Sequence, residues 1–239
     1  MFDLTIDSGI ARLTLNRPQA RNAIPVSDWD ALGDVAEAAV QDGARVLLVQ
    51  GAGSAFCAGA DITDFAAMLH NEAAASAFRL AMRDGIERLA AVPIPSVALI
   101  EGPCYGAGVA LAMACDLRIA GPGAVFAITP AKFGISYPQQ DVARLLALVG
   151  PGQAARLLYT GAAIDAPEAL RIGLVELLGG SEDVIACIVA NSAASLSTLK
   201  RSIRLAAAGP REDAGQDRAF DLLLASDELP SRLARRKER

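Results

Sequence analysis

The sequence predicts an α/β fold built on a mainly parallel sheet, and three observations carry that prediction. Short apolar stretches at Arg45 to Gln50, Ser96 to Ile100 and Leu117 to Ala120 are bounded by turn residues and separated by helical patterns, so the strands need crossover connections. Two of them run into glycine-bearing turns, Phe56-Cys57-Ala58-Gly59-Ala60-Asp61-Ile62 and Glu101-Gly102-Pro103-Cys104-Tyr105-Gly106-Ala107-Gly108, and each turn opens a helix. The 239 residues are 53% apolar, which can fill the core of one α/β domain with a helical appendage.

Taken in order, Phe2 to Asp7 and Ile10 to Asn16 alternate as a hairpin across Ser8-Gly9. Asn16-Arg17-Pro18-Gln19-Ala20-Arg21-Asn22 reads as a loop, after which Ser27, with Asp30 three residues on, caps a helix to about Gln41. The strand at Arg45 to Gln50 ends at Gly51-Ala52-Gly53. A helix from Asp61 and a longer one to about Ala90 precede Pro93-Ile94-Pro95 and the next buried strand. Short strands at Leu117 to Ala120 and Ala124 to Ala127 flank the turn Gly121-Pro122-Gly123. Beyond Gln139 the pattern is helical, with Asp165-Ala166-Pro167-Glu168 marking one helix start and a short strand at Leu174 to Leu178. The style changes near residue 190. Residues 1–190 read as the core, and residues 191–239 as two or three helices that need a partner surface.

Composition narrows the function. Net charge is -5, the lysines are Lys132, Lys200 and Lys237, and no face before the tail is basic, which argues against nucleic acid. The closing run Arg235-Arg236-Lys237-Glu238-Arg239 reads as a solvated helix end complementing the macrodipole. With no basic-then-apolar leader and no apolar run of spanning length, a cytoplasmic protein without membrane association is expected. Cys57, Cys104, Cys115 and Cys187 lack metal-ligand spacing and fall in segments expected in the core, where they would be reduced structural thiols.

The two turns are where chemistry can reside. A helix start leaves its first N–H groups without intrahelical partners, and glycine lets a ligand approach the backbone, so the pair can form an anion-stabilising hole. Gly106-Ala107-Gly108-Val109-Ala110-Leu111 imitates a dinucleotide fingerprint, but the third glycine is Leu111 and no acidic residue follows about 20 positions later, which excludes NAD. A hydrolase triad would have to use His70, the single histidine, with Ser54 or Ser136, neither of which lies in a nucleophile elbow; His70 reads as a surface or packing residue. Asp61 and Asp64 read locally as a helix cap and a first-turn charge, and Cys57 and Cys104 as small apolar filler.

Over nearly its whole length the chain resembles the crotonase superfamily, the enoyl-CoA hydratase/isomerase family. The matches run in order through Leu15-Asn16-Arg17-Pro18 with Asn22-Ala23, Phe56-Cys57-Ala58-Gly59-Ala60-Asp61, Pro95-Ser96-Val97-Ala98 leading to Gly102, and Gly106-Ala107-Gly108. They continue through Leu111-Ala112-Met113-Ala114-Cys115-Asp116-Leu117-Arg118-Ile119-Ala120, Gly134, and Ala169 with Gly173-Leu174-Val175. The resemblance implies a crotonase-like spiral of ββα units, a helical C-terminal region that assembles a homotrimer or a dimer of trimers, and a bound coenzyme A thioester. Carried over by position, it puts the thioester oxygen on the backbone N–H groups of Ala60 and Ala107. It lines the adenine and pantetheine side with Ala58, Gly59 and Asp61, and turns Arg21 to the coenzyme phosphates. Ala23, Ile62, Gly106, Ala110, Pro130 and Ala131 complete the implied substrate-binding set. No metal, and no cofactor beyond the coenzyme A moiety of the substrate, is expected.

The departures from the family pattern shape the expected reaction. Hydratases of the family carry one glutamate two positions after the glycine cluster and another after a Phe-x-x-Pro segment; here those positions are Ala110 and Ala131. Water addition needs a base and an acid, each contributing about 10²- to 10⁴-fold, so efficient hydration is not expected. Ser136, Tyr137, Gln139, Gln140 and Asp141 remain near the acyl end. Phe126 to Tyr137 is similar to the corresponding part of the methylmalonyl-CoA decarboxylase branch, including its tyrosine, and Tyr137 is the expected catalytic side chain, orienting a substrate carboxylate or a water. Three readings stay open: an acyl-CoA enzyme using Tyr137, water or Asp141; a non-catalytic acyl-CoA binder; and a scaffold whose turns merely close helices.

Overall fold

The computed structural model describes residues 1–237, with side chains through residue 234. It opens with the hairpin of β1 (Phe2–Asp7) and β2 (Ile10–Leu15), paired from Phe2 opposite Leu15 to Asp7 opposite Ile10. Ser8 and Gly9 both have positive φ, 52° and 79°, the two-residue turn whose twist matches that of antiparallel strands. There follow α1 (Trp29–Gln41), β3 (Val46–Gly51), α2 (Glu72–Ala91), β4 (Ser96–Ile100), β5 (Pro103–Tyr105), α3 (Ala107–Ala114), β6 (Leu117–Ala120) and β7 (Val125–Ala127). The second half holds α4 (Gln139–Thr160), β8 (Ile164–Asp165), α5 (Ala166–Arg171), β9 (Leu177–Leu178), α6 (Glu182–Ala190), α7 (Ala193–Ala207), α8 (Ala214–Leu224) and α9 (Glu228–Lys237). Gly150, at φ 72° and ψ 168° before Pro151, breaks α4 into two pieces.

Six strands form one sheet in the order β1-β2-β3-β4-β6-β9, parallel from β2 onward. A smaller sheet, β5-β7-β8, stands beside it. The two are built together. Each long strand hands on to a short one: β3 to the bridge residue Cys57, β4 to β5 at Cys104, and β6 to β7 at Phe126. Cys57 pairs with Cys104 and Cys104 with Phe126, so successive turns stack as a spiral of ββα units. The strands β5 and β8, each paired with β7, were not foreseen, since strands of three and two residues leave no periodic pattern to read.

Burial explains why β3 carries apolar residues on both sides. Leu47 and Val49 face the main core with Leu13, Trp29, Leu89 and Phe126, whereas Val46 and Leu48 face Ile185 of α6 across the other side. A parallel strand covered on both faces loses the alternation of a half-exposed one. Helices α1 and α2 cross closely at Gly85, where a Cβ would stand 2.0 Å from the Trp29 carbonyl oxygen. Arg88 lies along the same crossing and pairs with Glu37 at 2.8 Å and Asp34 at 2.6 Å.

The last three helices lie outside the main core. α7 is tied to it by Lys200, buried, whose Nζ is 2.8 Å from Asp116 Oδ2 and donates to the Ile94 carbonyl at 2.9 Å. Ile203 and Phe220, at 70% and 63% exposure, and Leu199 and Leu222 present apolar surface away from that anchor. The side chains of the closing basic run lie outside the described residues. Among the described residues no helix is long and apolar enough to cross a membrane.

Four local expectations change. Ser27 does not cap α1: its hydroxyl donates to Asp28 Oδ1, and a short 3-10 turn, Val26–Asp28, delays the helix to Trp29. The helix expected from Asp61 is a 3-10 segment, Ile62–Met68, that ends before α2. Pairing at Leu174 to Leu178 is confined to Leu177–Leu178, because Leu174 and Val175 turn into the core. Cys187 is exposed, unlike the other three cysteines.

The Gly85 crossing sets a stability test. Gly85→Ala should lower stability by at least about 1 to 3 kcal/mol through overpacking, read as a fall in the urea midpoint. Gly123→Ala, where a Cβ would meet nothing within 4 Å, should stay within about 0.5 kcal/mol of the parent.

Candidate active site

The two glycine turns meet at the heart of the spiral. Gly59 (φ 100°) lies so close to the second turn that a Cβ there would be 2.8 Å from the Tyr105 carbonyl oxygen and 3.2 Å from the Ala107 nitrogen. Reciprocally, a Cβ on Gly108 would be 2.3 Å from the Cys57 carbonyl oxygen. Each turn uses its glycine to admit the other. Tyr105 N–H donates to the Cys57 carbonyl at 2.9 Å, fixing the register between them.

This contact sets the turns that carry the expected donors side by side. Ile24 N–H donates to Gly59 O at 2.8 Å and Asp61 N–H to Ile24 O at 2.9 Å, so the amide of Ala60, lying between those bonds, is turned the other way. Ala107 is the first residue of α3 and its N–H precedes the helical ladder. Among the described residues neither the Ala60 nor the Ala107 N–H is engaged with a protein acceptor. Both residues are half-buried, while Gly59, Gly106 and Gly108 are buried. Two donors with low local exposure, held by surrounding backbone, can stabilise negative charge on one oxygen without reorganising.

The loop at residues 16–26 supports the first turn, and here sequence reading missed two residues. Asn22, fully buried, accepts from Arg17 N–H at 2.9 Å and donates to the carbonyls of Ala52 and Ala55 at 2.9 and 2.7 Å. Arg17 Nη1 reaches Asp61 Oδ2 at 2.5 Å and Ala23 O at 3.1 Å. The segment was legible as a loop and as part of the family resemblance, but these roles were not, because Asp61 lies 44 residues from Arg17, and Ala52 lies 30 residues from Asn22. Asp61 caps the 3-10 segment as expected, accepting from Thr63 N–H at 3.0 Å, and Asp64 accepts from Val26 N–H at 2.9 Å. Arg21, exposed and left-handed (φ 50°), offers its carbonyl to Ala58 N–H, so Arg21, Ala23, Ala58, Gly59, Ala60, Asp61 and Ile62 are neighbours.

The residues expected near the acyl group divide between buried and exposed positions. Ala110 is fully buried in α3 and belongs to the main core. Pro130 and Ala131 begin a 3-10 turn, Pro130–Phe133, in which Ala131 is exposed; Ser136, Gln139 and Gln140 are exposed too. Tyr137 is buried, and its hydroxyl donates to the Gly106 carbonyl at 3.0 Å. A phenol has one proton to donate, and here that proton is engaged on the backbone rather than directed at the place expected for a substrate carboxylate or a water. Burial, with nearby Asp141, pushes the phenol well above its ordinary value and keeps it neutral. Asp141, also buried, is raised to about 6, chiefly by burial, against the pull of Arg144. Burial likewise pushes Cys57 to about 12, leaving it an inert thiol. His70 and Ser54 are both exposed, His70 sits at a turn, and among the described residues it forms no hydrogen bond with a serine. No group of three or more His, Cys, Asp or Glu suited to a metal occurs among the described residues.

Asp61 yields a pH test. The Thr63 hydroxyl and the Arg17 guanidinium hold its carboxyl at about 2, below the ordinary 3.8. Its contribution to stability is therefore complete above about pH 4 and disappears as the pH falls through 2. The urea midpoint of the parent should fall more steeply between pH 4 and 2 than that of Asp61→Asn, and parallel profiles would contradict the pairing.

Comparison with known proteins agrees with the spiral and the turns. The enoyl-CoA hydratase/isomerase family model matches residues 5–216. A crotonyl-CoA hydratase of Syntrophomonas wolfei is 36% identical over 207 residues, covering 85% of this chain and 78% of that protein. Among solved structures, an enoyl-CoA hydratase/isomerase family protein from Hyphomonas neptunium superposes with a TM-score of 0.91 at 36% identity, over 100% of this chain and 95% of that one. An enoyl-CoA hydratase/carnithine racemase from Magnetospirillum magneticum gives 0.90 at 30% identity, over 100% and 93%. On the evidence of ordered motifs, ββα spiral and full-length likeness, this chain belongs to the enoyl-CoA hydratase/isomerase family of the crotonase superfamily.

Proposed function

We propose that the protein binds a coenzyme A thioester with the acyl oxygen on the N–H groups of Ala60 and Ala107, and that it stabilises an enolate there without being an efficient hydratase. The observation that carries this reading is the pair of unengaged amides held together by Gly59 and Gly108. One such donor is worth about 3 to 4 kcal/mol in the transition state. Arg21, exposed on the loop beside Ala58, is placed to meet the coenzyme phosphates.

The chemistry that fits this set of groups is decarboxylation of a thioester bearing a carboxylate on its α carbon. The bond to the carboxylate breaks, its electron pair passes into the thioester as an enolate, CO₂ leaves, and a proton then closes the α carbon. No base is required for the first step. A proton can come from water or from Asp141, whose value of about 6 suits transfer near neutral pH. Ala110 and Ala131 supply neither an acid nor a base, and the complete burial of Ala110 argues against a water poised beside it. The same features favour one alternative, a non-catalytic acyl-CoA binder.

The expected assembly is a homotrimer or a dimer of trimers formed through the last three helices, a reading supported by the exposed apolar residues Leu199, Ile203, Phe220 and Leu222.

Calorimetry with acetyl-, butyryl- and octanoyl-CoA should show saturable binding that Gly108→Ala abolishes; no binding across a broad thioester panel would overturn the proposal. Hydration of crotonyl-CoA should stay below about 10 per second, an ordinary enzyme rate. Release of CO₂ from malonyl- or methylmalonyl-CoA supports the enzyme, and binding without turnover supports the binder. Light scattering at micromolar concentration should give a trimer or hexamer, and a monomer would remove the assembly.

A further inference from the structure

Tyr137 reaches the Gly106 carbonyl, and that carbonyl belongs to the same peptide unit as the Ala107 N–H. A trans peptide points its C=O and N–H in opposite directions. Whatever grips the oxygen of residue 106 therefore sets the aim of the nitrogen of residue 107. Gly106 sits at φ 51° and ψ -117°, outside helical geometry and reachable by glycine, and no side chain caps α3 at this position. Its N–H donates to Ala127 O at 2.9 Å, while its oxygen accepts from Val109 N–H at 3.0 Å, Ala110 N–H at 3.3 Å and the Tyr137 hydroxyl at 3.0 Å.

We infer that Tyr137 is a positioning residue for the oxyanion hole: its hydroxyl orients and polarises the Gly106–Ala107 peptide so that the Ala107 N–H donates more strongly to a substrate oxygen. The inference rests on the reading that this N–H holds a thioester oxygen. The physical basis is a chain of two hydrogen bonds through one amide, from phenol to carbonyl and from N–H to ligand, in which each bond strengthens the next by about 10 to 30%. Burial suits the phenol to this task, because a neutral hydroxyl remains a donor across the working pH range. The three donors on Gly106 O also give the Tyr137→Phe variant a way to fold, since Val109 and Ala110 keep that oxygen satisfied.

The test is isotope-edited infrared spectroscopy of the full-length protein saturated with butyryl-CoA carrying ¹³C at the thioester carbonyl. In the parent the carbonyl band should move to lower frequency than in water. Tyr137→Phe should reduce that displacement by about 10 to 30%, and 3-fluorotyrosine at position 137, a stronger donor, should increase it. Where malonyl- or methylmalonyl-CoA is turned over, kcat should fall about 2- to 8-fold, the equivalent of that fraction of one donor, with KM changed less. An unshifted band in the parent would overturn the hole itself. A shifted parent band that neither substitution alters would leave the hole intact and remove Tyr137 from it. If Tyr137→Phe does not fold, the fluorotyrosine arm decides alone.

Discussion

The close approach of two backbone segments is the constraint on which the site depends. At Gly108 the distance available to a methyl group before the Cys57 carbonyl is 2.3 Å, and at Gly59 the Tyr105 carbonyl stands at 2.8 Å. Real carbon–oxygen contacts do not reach the first of these values, so any side chain would push the turns apart. Because the turns belong to consecutive units of the spiral, their separation is also the stacking distance of Cys57 on Cys104. The same contact that packs the small sheet brings the Ala60 and Ala107 amides together. The proposed hole would thus be a by-product of how ββα units stack.

Polar support is concentrated where this geometry would otherwise drift. The Asn22 side-chain NH2 joins the loop at residues 16–26 to Ala52 and Ala55 while its carbonyl accepts from Arg17 N–H within that loop, and the Arg17–Asp61 pair fastens the loop to the first turn. The second turn is fastened differently, through Gly106 to Ala127 and Tyr137. Each turn is therefore held by groups other than the Ala60 and Ala107 N–H donors, which have no protein acceptor among the described residues. That division is what preorganisation requires, since a donor already engaged by protein must break a bond before serving a substrate.

Positions 110 and 131 carry alanine, where the resemblance to family hydratases implies glutamate. A glutamate at position 110 would lie in the first turn of α3 among fully buried neighbours, where an ionised side chain needs a partner or a solvated cavity. The alanine present there completes an apolar core instead. Asp141 and Tyr137 retain ionisable protons, yet one is next to Arg144 and the other is engaged on Gly106. On the proposed reading, the two amides would supply electrostatic stabilisation, while Ala110 and Ala131 offer no group for proton transfer.

Much of this was legible in the sequence, for a physical reason. Strand and helix types follow from apolar periodicity and from turn residues a few positions away, and so the hairpin, β3, β4, β6, α2 and the Asp165 helix start could be read locally. The glycines of the two turns declared themselves as places of close approach, and family resemblance supplied which amides point inward. What remained hidden were relations between distant segments: Arg17 on Asp61, Asn22 under Ala52 and Ala55, the short pairings of β5 and β8, and the phenol of Tyr137 on Gly106 across 31 residues. A side chain's partner across the fold leaves no periodic mark on the residues between. The sequence by itself determined a mainly parallel sheet with helical crossovers and two glycine turns that open helices, because both depend on residue type and near neighbours. Only the tertiary structure decided where the one proton of Tyr137 goes and how dry Ala110 is, because both depend on what the rest of the chain packs against them.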